Sequence, residues 1–138
     1  MAYEYDHDCP FEAFITNLGK YNEGELVGEW VKFPTTSEEL QKVFERIGIG
    51  SKDDFGNPYE EWFISDYDCY VDGLYEMLGE YENLDELNYL ASKLEELDDH
   101  DYEHFQAAMQ VSDYTGSVKD LINLIDNLDK YEIYLGVD

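Results

Sequence analysis

The residues in this sequence that could do chemistry are its carboxylates. Between Asp53 and Val118 there are nineteen Asp or Glu side chains, interleaved with tyrosines, against one base, Lys93. Carboxylates can serve as acid–base catalysts, as ligands for a hard cation, or as a field of fixed negative charge. Catalysis finds no support in the spacing. There is no serine nucleophile elbow, no phosphate-cradling glycine loop and no Cys–His pairing, and acids this abundant single out no catalytic pair. No catalytic residue and no enzymatic activity are therefore expected. The segment Asp66-Tyr67-Asp68-Cys69-Tyr70-Val71-Asp72-Gly73 has an outward likeness to a calcium loop, but such a loop needs an oxygen ligand at position 5 and Gly at position 6. Here those positions hold Tyr70 and Val71. His100 and His104 have an i, i+4 spacing that can chelate zinc. They fall at the expected start of a helix in DDHDYEHF, where capping and surface exposure are the simpler reading. The expectation is no metal and no cofactor.

A field of charge is what remains. B-form DNA carries about one negative charge per 1.7 Å of axis, and helix neighbours at i, i+3 and i+4 lie roughly 5–6 Å apart. Acids spread over several helices could therefore tile a surface at phosphate-like intervals. The residues assigned to this surface are Glu60, Glu61, Asp66, Asp68, Asp72, Glu76, Glu80, Glu82, Asp85, Glu86, Glu95, Glu96, Asp98, Asp99, Asp101, Glu103, Asp126 and Asp129. Tyrosines 67, 70, 75, 81, 89, 102, 114, 131 and 134 lie among them, with rings suited to an interface or to the rim of a core. Acidic helix faces also serve simply for solvation, and spacing alone leaves both readings open.

The elements that must position these groups are legible in the hydrophobic pattern. Residues 1–10 read as a polar arm. FEAFITNL at 11–18 and LVGEWVKF at 26–33 are strand-like, joined by the turn-rich GKYNEGE into a β-hairpin. Alternation sets Leu26, Gly28, Trp30 and Lys32 against Val27, Glu29, Val31 and Phe33, and one large aromatic on each side predicts partial burial of both. After Pro34, Thr36 and Glu39 form a capping box for a helix with Leu40, Val43, Phe44 and Ile47 on its apolar face and Gly48 as its stop. Residues 48–58 are a loop, and Tyr59–Tyr67 is a third strand able to join the hairpin. Four amphipathic helices are expected to follow: one from Asp72 to about Tyr81; one capped by Asn83, with Leu87, Leu90, Leu94 and Leu97; one capped by Asp101, with Phe105, Ala108 and Met109; and one capped by Ser117, with Val118, Leu121, Ile122, Ile125 and Leu128. The fold class is α+β, elongated: a small antiparallel sheet with one helix (1–64), then an acidic helical bundle (65–130). The strand-like YEIYLGVD at 131–138 reads as the stub of a possible third domain.

Composition bounds the partners. The 138 residues carry 34 acids against 8 bases, a net charge of -26, and residues 53–138 alone hold twenty-four acids and three bases. Such an excess costs stability through self-repulsion and exceeds what solubility requires. It excludes nucleic acid and anionic membrane as partners and favours a basic protein surface, such as a nucleic-acid-binding groove. Aromatic and aliphatic residues are too frequent for a disordered acidic tail. Cys9 and Cys69 suggest no disulfide framework, and neither a signal peptide nor a membrane-length apolar run is visible, so the cytoplasm is expected.

One run is specific. Ile15-Thr16-Asn17-Leu18-Gly19-Lys20-Tyr21-Asn22-Glu23-Gly24-Glu25-Leu26-Val27-Gly28-Glu29-Trp30 resembles the opening of the antirestriction proteins of the ArdA family, in which a strand ending in NLGKYNEG precedes a G-x-W strand. Tyr59–Tyr67 and Leu84–Asn88 resemble that family's middle portion. The resemblance implies a protein carried on a mobile genetic element that imitates bent B-form DNA and occupies the DNA-binding groove of a type I restriction-modification enzyme. It also implies three small domains and a dimer formed through the third. Since that domain is only a stub here, dimerisation is in doubt. Two alternatives stand beside this reading: mimicry aimed at another DNA-binding effector such as a CRISPR nuclease, and a plain acidic interaction module.

Overall fold

The computed structural model describes residues 9–71, 73–111 and 117–127. The expected polar arm, Asp72, Tyr114, Leu128, Asp129 and the YEIYLGVD segment fall at least partly or wholly outside these residues. Strand β1 (Phe11–Asn17) leads into a short helix α1 (Leu18–Asn22), then β2 (Gly28–Phe33), helix α2 (Ser37–Arg46) and β3 (Trp62–Cys69). A single 3-10 turn at Tyr75–Met77 precedes helices α3 (Leu84–Glu96), α4 (Asp99–Val111) and α5 (Val118–Asp126). The sheet is antiparallel in the order β2-β1-β3, so the expected third strand does join the hairpin, on the other side of β1. The α+β class follows from the two halves of this order.

Alternation along β1 decides which sheet face is core. Phe11, Ala13 and Ile15 are buried, and their cross-strand partners Phe33 and Val31 on β2 and Tyr67 and Ile64 on β3 are buried with them. The opposite face carries Glu12, Phe14, Trp30, Lys32, Asp66 and Asp68. The expectation of shared burial on β2 is thus corrected: Val31 and Phe33 are inside, whereas Trp30 is exposed and packs edge-on against Phe14 at 5.2 Å. A bulge between Phe14 and Ile15 leaves Ser65 as the extra residue of β3, and its hydroxyl lies 2.8 Å from that of Thr16.

Local capping chemistry sets the helices. Thr36, Asn83 and Ser117 each accept a hydrogen bond from the backbone N–H three residues on. For α4 the cap is Asp98 rather than Asp101: Asp101 N–H donates to Asp98 Oδ1 at 2.8 Å, and the helix starts earlier than expected. Of the helix expected from Asp72 to Tyr81, the described residues 73–81 form only the 3-10 turn. Gly73 has φ of 84° and Leu78 is extended, and the segment bonds the sheet instead. Ile64 N–H donates to the Glu80 carbonyl at 2.8 Å and the Tyr67 hydroxyl to the Gly79 carbonyl at 2.7 Å. With two glycines its helical preference was weak, and pairing with β3 prevails.

One apolar core runs from the sheet into the helices. Phe11, Phe33, Val43 and Ile47 belong to the same cluster as Leu87, Leu90, Leu94, Phe105, Leu121 and Leu124. Helix α3 packs on β2 and on α5, which also contacts α4. The Thr35 N–H donates to Asn88 Oδ1, tying the β2–α2 link to α3. No helix among the described residues is long and apolar enough to cross a membrane.

Gly28 is where the hairpin closes most tightly, since an added Cβ would lie 2.7 Å from the Ile15 carbonyl oxygen and 2.8 Å from the Phe14 ring. Backbone has to move to relieve that contact. Gly28→Ala is expected to destabilise by about 1–3 kcal/mol, measured as a lowered urea midpoint with unchanged m-value.

Candidate partner-binding surface

The carboxylates divide by what the fold asks of them. Some have structural work. Glu29 forms a bidentate pair with Arg46, Nε to Oε1 at 2.8 Å and Nη2 to Oε2 at 2.5 Å, and Glu39 lies 3.3 Å from the same guanidinium. The Arg46 hydrogen bond holds the Glu29 carboxyl below the usual range. Asp53 is held low mainly by the backbone N–H of Asn57, with that of Phe55 assisting, in the loop that places Phe55 at its tip.

Among the residues assigned from sequence, Asp98 caps α4, and Glu82 accepts the Gly79 N–H at 2.9 Å. Glu86 and Asp126 are partly neutralised by Lys119 at 3.6 Å and Lys93 at 3.4 Å. Asp85, Asp99 and Asp101 lie in first helical turns, where the helix dipole favours an anion. Glu60, Glu61, Asp66, Asp68, Glu76, Glu80, Asp85, Glu95, Glu96, Asp99, Glu103 and Asp126 are exposed, whereas Glu82, Glu86, Asp98 and Asp101 are half-buried. Asp72 and Asp129 fall outside the described residues.

Tyrosine has a role the spacing did not reveal. On the outer sheet face Glu12 of β1 stands directly across from Asp68 of β3, a like-charge pair that is unfavourable by itself. The Tyr70 hydroxyl lies between them, 2.5 Å from Glu12 Oε2 and 3.1 Å from Asp68 Oδ2. Tyr75 donates to Asp66 at 3.2 Å, and Tyr59 reaches both Glu23 oxygens at 2.9 and 3.0 Å. Each phenol holds a carboxylate in place without cancelling its charge. Glu12 therefore joins the acidic surface although it was not among the assigned residues; its outward position in the F-E-A-F alternation was the available signal.

The phenols register this environment. The Glu23 bond raises Tyr59 to about 12. Burial, then Glu12 and Asp68, push Tyr70 well above the ordinary phenol range, and the Asp66 bond raises Tyr75. Burial with Asp68, Glu76 and Asp66 nearby lifts the Cys69 thiol to about 12, so it stays protonated. His104 corrects the expectation of exposure. It is 7% exposed among the packed residues of α4, with no hydrogen-bond partner for Nε2 among the described residues, while His100 is exposed. The two rings are 6.2 Å apart, and the described residues include no group of three or more potential metal ligands.

A protein-family model described as antirestriction protein (ArdA) matches residues 13–133 of the 138. The chain belongs to the ArdA family. A search among curated proteins gave no match. The residues that carried the resemblance prove to be structural in this ArdA-family chain. Asn17 is buried, donates from Nδ2 to the Ile47 carbonyl at 2.9 Å and accepts the Lys20 N–H at 3.1 Å. Gly19 lies under the Tyr59 ring, where a Cβ would come within 2.6 Å, and Gly24 has φ of 92°. Within this motif these residues build the fold, while most of the chain's acids lie outside it.

These phenols have folded-state pKa values above the unfolded value of roughly 10. The stability they contribute is therefore fully present below that pH and is lost as pH rises through the folded values. An alkaline titration followed by tyrosinate absorbance is expected to show a late phase that coincides with unfolding. Tyr70→Phe is expected to lower stability at neutral pH by about 1 kcal/mol, read by urea denaturation.

Proposed function

We propose that this ArdA-family chain is a non-enzymatic DNA mimic that competitively occupies the DNA-binding groove of a type I restriction-modification enzyme in the cytoplasm. The supporting observation is that acids occur where the fold gains nothing from them. Glu95 and Glu96 are exposed residues in the last turn of α3, the end of a helix at which anions are disfavoured. Neither has an ion pair or side-chain hydrogen bond among the described residues. After Leu97 come Asp98 and Asp99, which serve the start of α4, so four acids crowd the α3–α4 junction. Lysines in place of Glu95 and Glu96 would serve solvation equally and would also favour the helix. A partner that requires negative charge at that position accounts for acids being used instead.

In the mechanism the carboxylates stand in for phosphate oxygens against Lys and Arg of the target groove. The long-range field speeds encounter, and the bound inhibitor excludes DNA. Tyrosine hydroxyls that fix Glu12, Asp66 and Asp68 reduce the ordering needed on binding. Because the charge is distributed, no single carboxylate carries the activity.

A competition assay of DNA cleavage by a purified type I enzyme tests this. Glu95→Gln alone is expected to leave inhibition nearly unchanged. The block Glu95→Gln, Glu96→Gln, Asp98→Asn, Asp99→Asn is expected to weaken it markedly, with the α4 cap retained because Asn caps as well as Asp. The pair Glu95→Gln, Glu96→Gln, which removes anions only from the C-terminal turn of α3, is expected to raise stability by a few tenths of a kcal/mol to about 1 kcal/mol, read from thermal unfolding. Inhibition should also fall steeply between low and moderate salt. Loss of inhibition from one of these substitutions with the fold intact, or inhibition indifferent to salt, would overturn the reading.

A further inference from the structure

Two sites on this molecule already combine an aromatic ring, a carboxylate and a cation. Lys20 Nζ lies 5.0 Å above the Tyr59 ring and 3.9 Å from Glu25. Lys93 Nζ lies 5.3 Å above the Tyr89 ring and 3.4 Å from Asp126. A third place has the ring and the carboxylates without the cation. It is an open cleft of about 500 Å³ lined by Leu18, Glu60, Glu61, Trp62 and Tyr81.

The cleft is built by tertiary contacts. The Leu18 N–H donates to the Glu61 carbonyl at 3.0 Å, fixing the α1 end against the approach to β3. Trp62 is half-buried and packs against Phe44 at 5.9 Å. Tyr81 is held by the Ile64–Glu80 bond next to it and by Phe63, whose ring centroid is 6.5 Å away. It is nevertheless 72% exposed, a large aromatic surface left to water. Neither the Glu60 nor the Glu61 carboxylate has an ion pair or side-chain hydrogen bond among the described residues.

We propose that the cleft between Tyr81, Trp62 and the Glu60–Glu61 carboxylates receives an arginine side chain from the partner protein. This rests on the reading that the partner presents a basic surface, and adds to its distributed charge a single anchoring site. The choice of arginine follows from its planar guanidinium, which stacks on an aromatic face and presents a fork of N–H donors to carboxylates. A lysine ammonium, more strongly hydrated, makes the cation–π contact without the stacking. The aromatic walls displace water from one face of the guanidinium, and the glutamates bond its edge.

The test uses the full chain labelled with ¹⁵N, titrated with the peptide acetyl-Gly-Arg-Gly-amide and, at equal ionic strength, acetyl-Gly-Lys-Gly-amide. The arginine peptide is expected to shift the Trp62 indole and the Leu18 and Tyr81 amides before other signals, and the lysine peptide to bind more weakly. Tyr81→Ala, at an exposed position, is expected to weaken arginine-peptide binding roughly two- to fivefold, and Glu60→Gln with Glu61→Gln to weaken it further. Shifts spread evenly over the acidic surface, or equal binding by Tyr81→Ala and the parent chain, overturn the proposal. The cleavage-competition assay separates it from the functional reading. If the parent chain does not inhibit the type I enzyme, the functional reading fails while the peptide result stands. If the parent inhibits and Tyr81→Ala inhibits equally, the cleft is not an anchor.

Discussion

Like-charge repulsion is the constraint on which the rest of this structure depends. Thirty-four acids against eight bases in a chain of 138 residues oppose compaction. What opposes them is a core continuous from the sheet to α5, in which fully buried Phe, Ile and Leu side chains from both halves meet. Each such side chain contributes about 1.5–3 kcal/mol on burial, and many together withstand a surface that no network of ion pairs neutralises. The acids are kept out of the core, with none buried among the described residues, so the cost is borne as long-range repulsion rather than as desolvation.

Within that limit, the fold uses its acids in different ways. At helix N-termini they cap and complement the dipole, as with Asp98, Asp85 and Asp120. Around Arg46 and Lys93 they are paired. At the α3–α4 junction and on the outer sheet face they are crowded, and on the sheet face Tyr70 bridges Glu12 and Asp68 while Lys32 stands across from Glu12 on the other side. A phenol can separate two carboxylates by hydrogen bonding while leaving the net charge intact, which a lysine in the same place could not do. Tyr59, Tyr70 and Tyr75 hold carboxylates in this way.

Much of the fold was legible because it depends on local rules. Thr36, Asn83 and Ser117 announced their helices by side-chain capping, and the alternation in Phe11–Asn17 announced the central strand. The misreadings occurred where a distant partner decided the outcome. Residues 74–80 left the helix predicted for them because β3 offered hydrogen bonds, and Trp30 lost its expected shelter because only one sheet face is covered. The acidic neighbours of His104 in sequence suggest solvent, whereas the start of α4 at Asp99 turns it among packed residues.

The sequence by itself determined the charge, the capped helices and the hairpin whose Asn17, Gly19, Gly24 and Gly28 mark the family. These are set by composition, by contacts a few residues apart, and by backbone positions that tolerate little else. Only the tertiary structure decided which carboxylates are free. Glu12 faces Asp68 through strand register, Glu29 is neutralised by Arg46 from a different element, and Glu60 and Glu61 flank Tyr81 because the segment after Gly73 returns to β3. Charge is additive along a chain, but its availability to a partner depends on neighbours brought together from far apart in sequence.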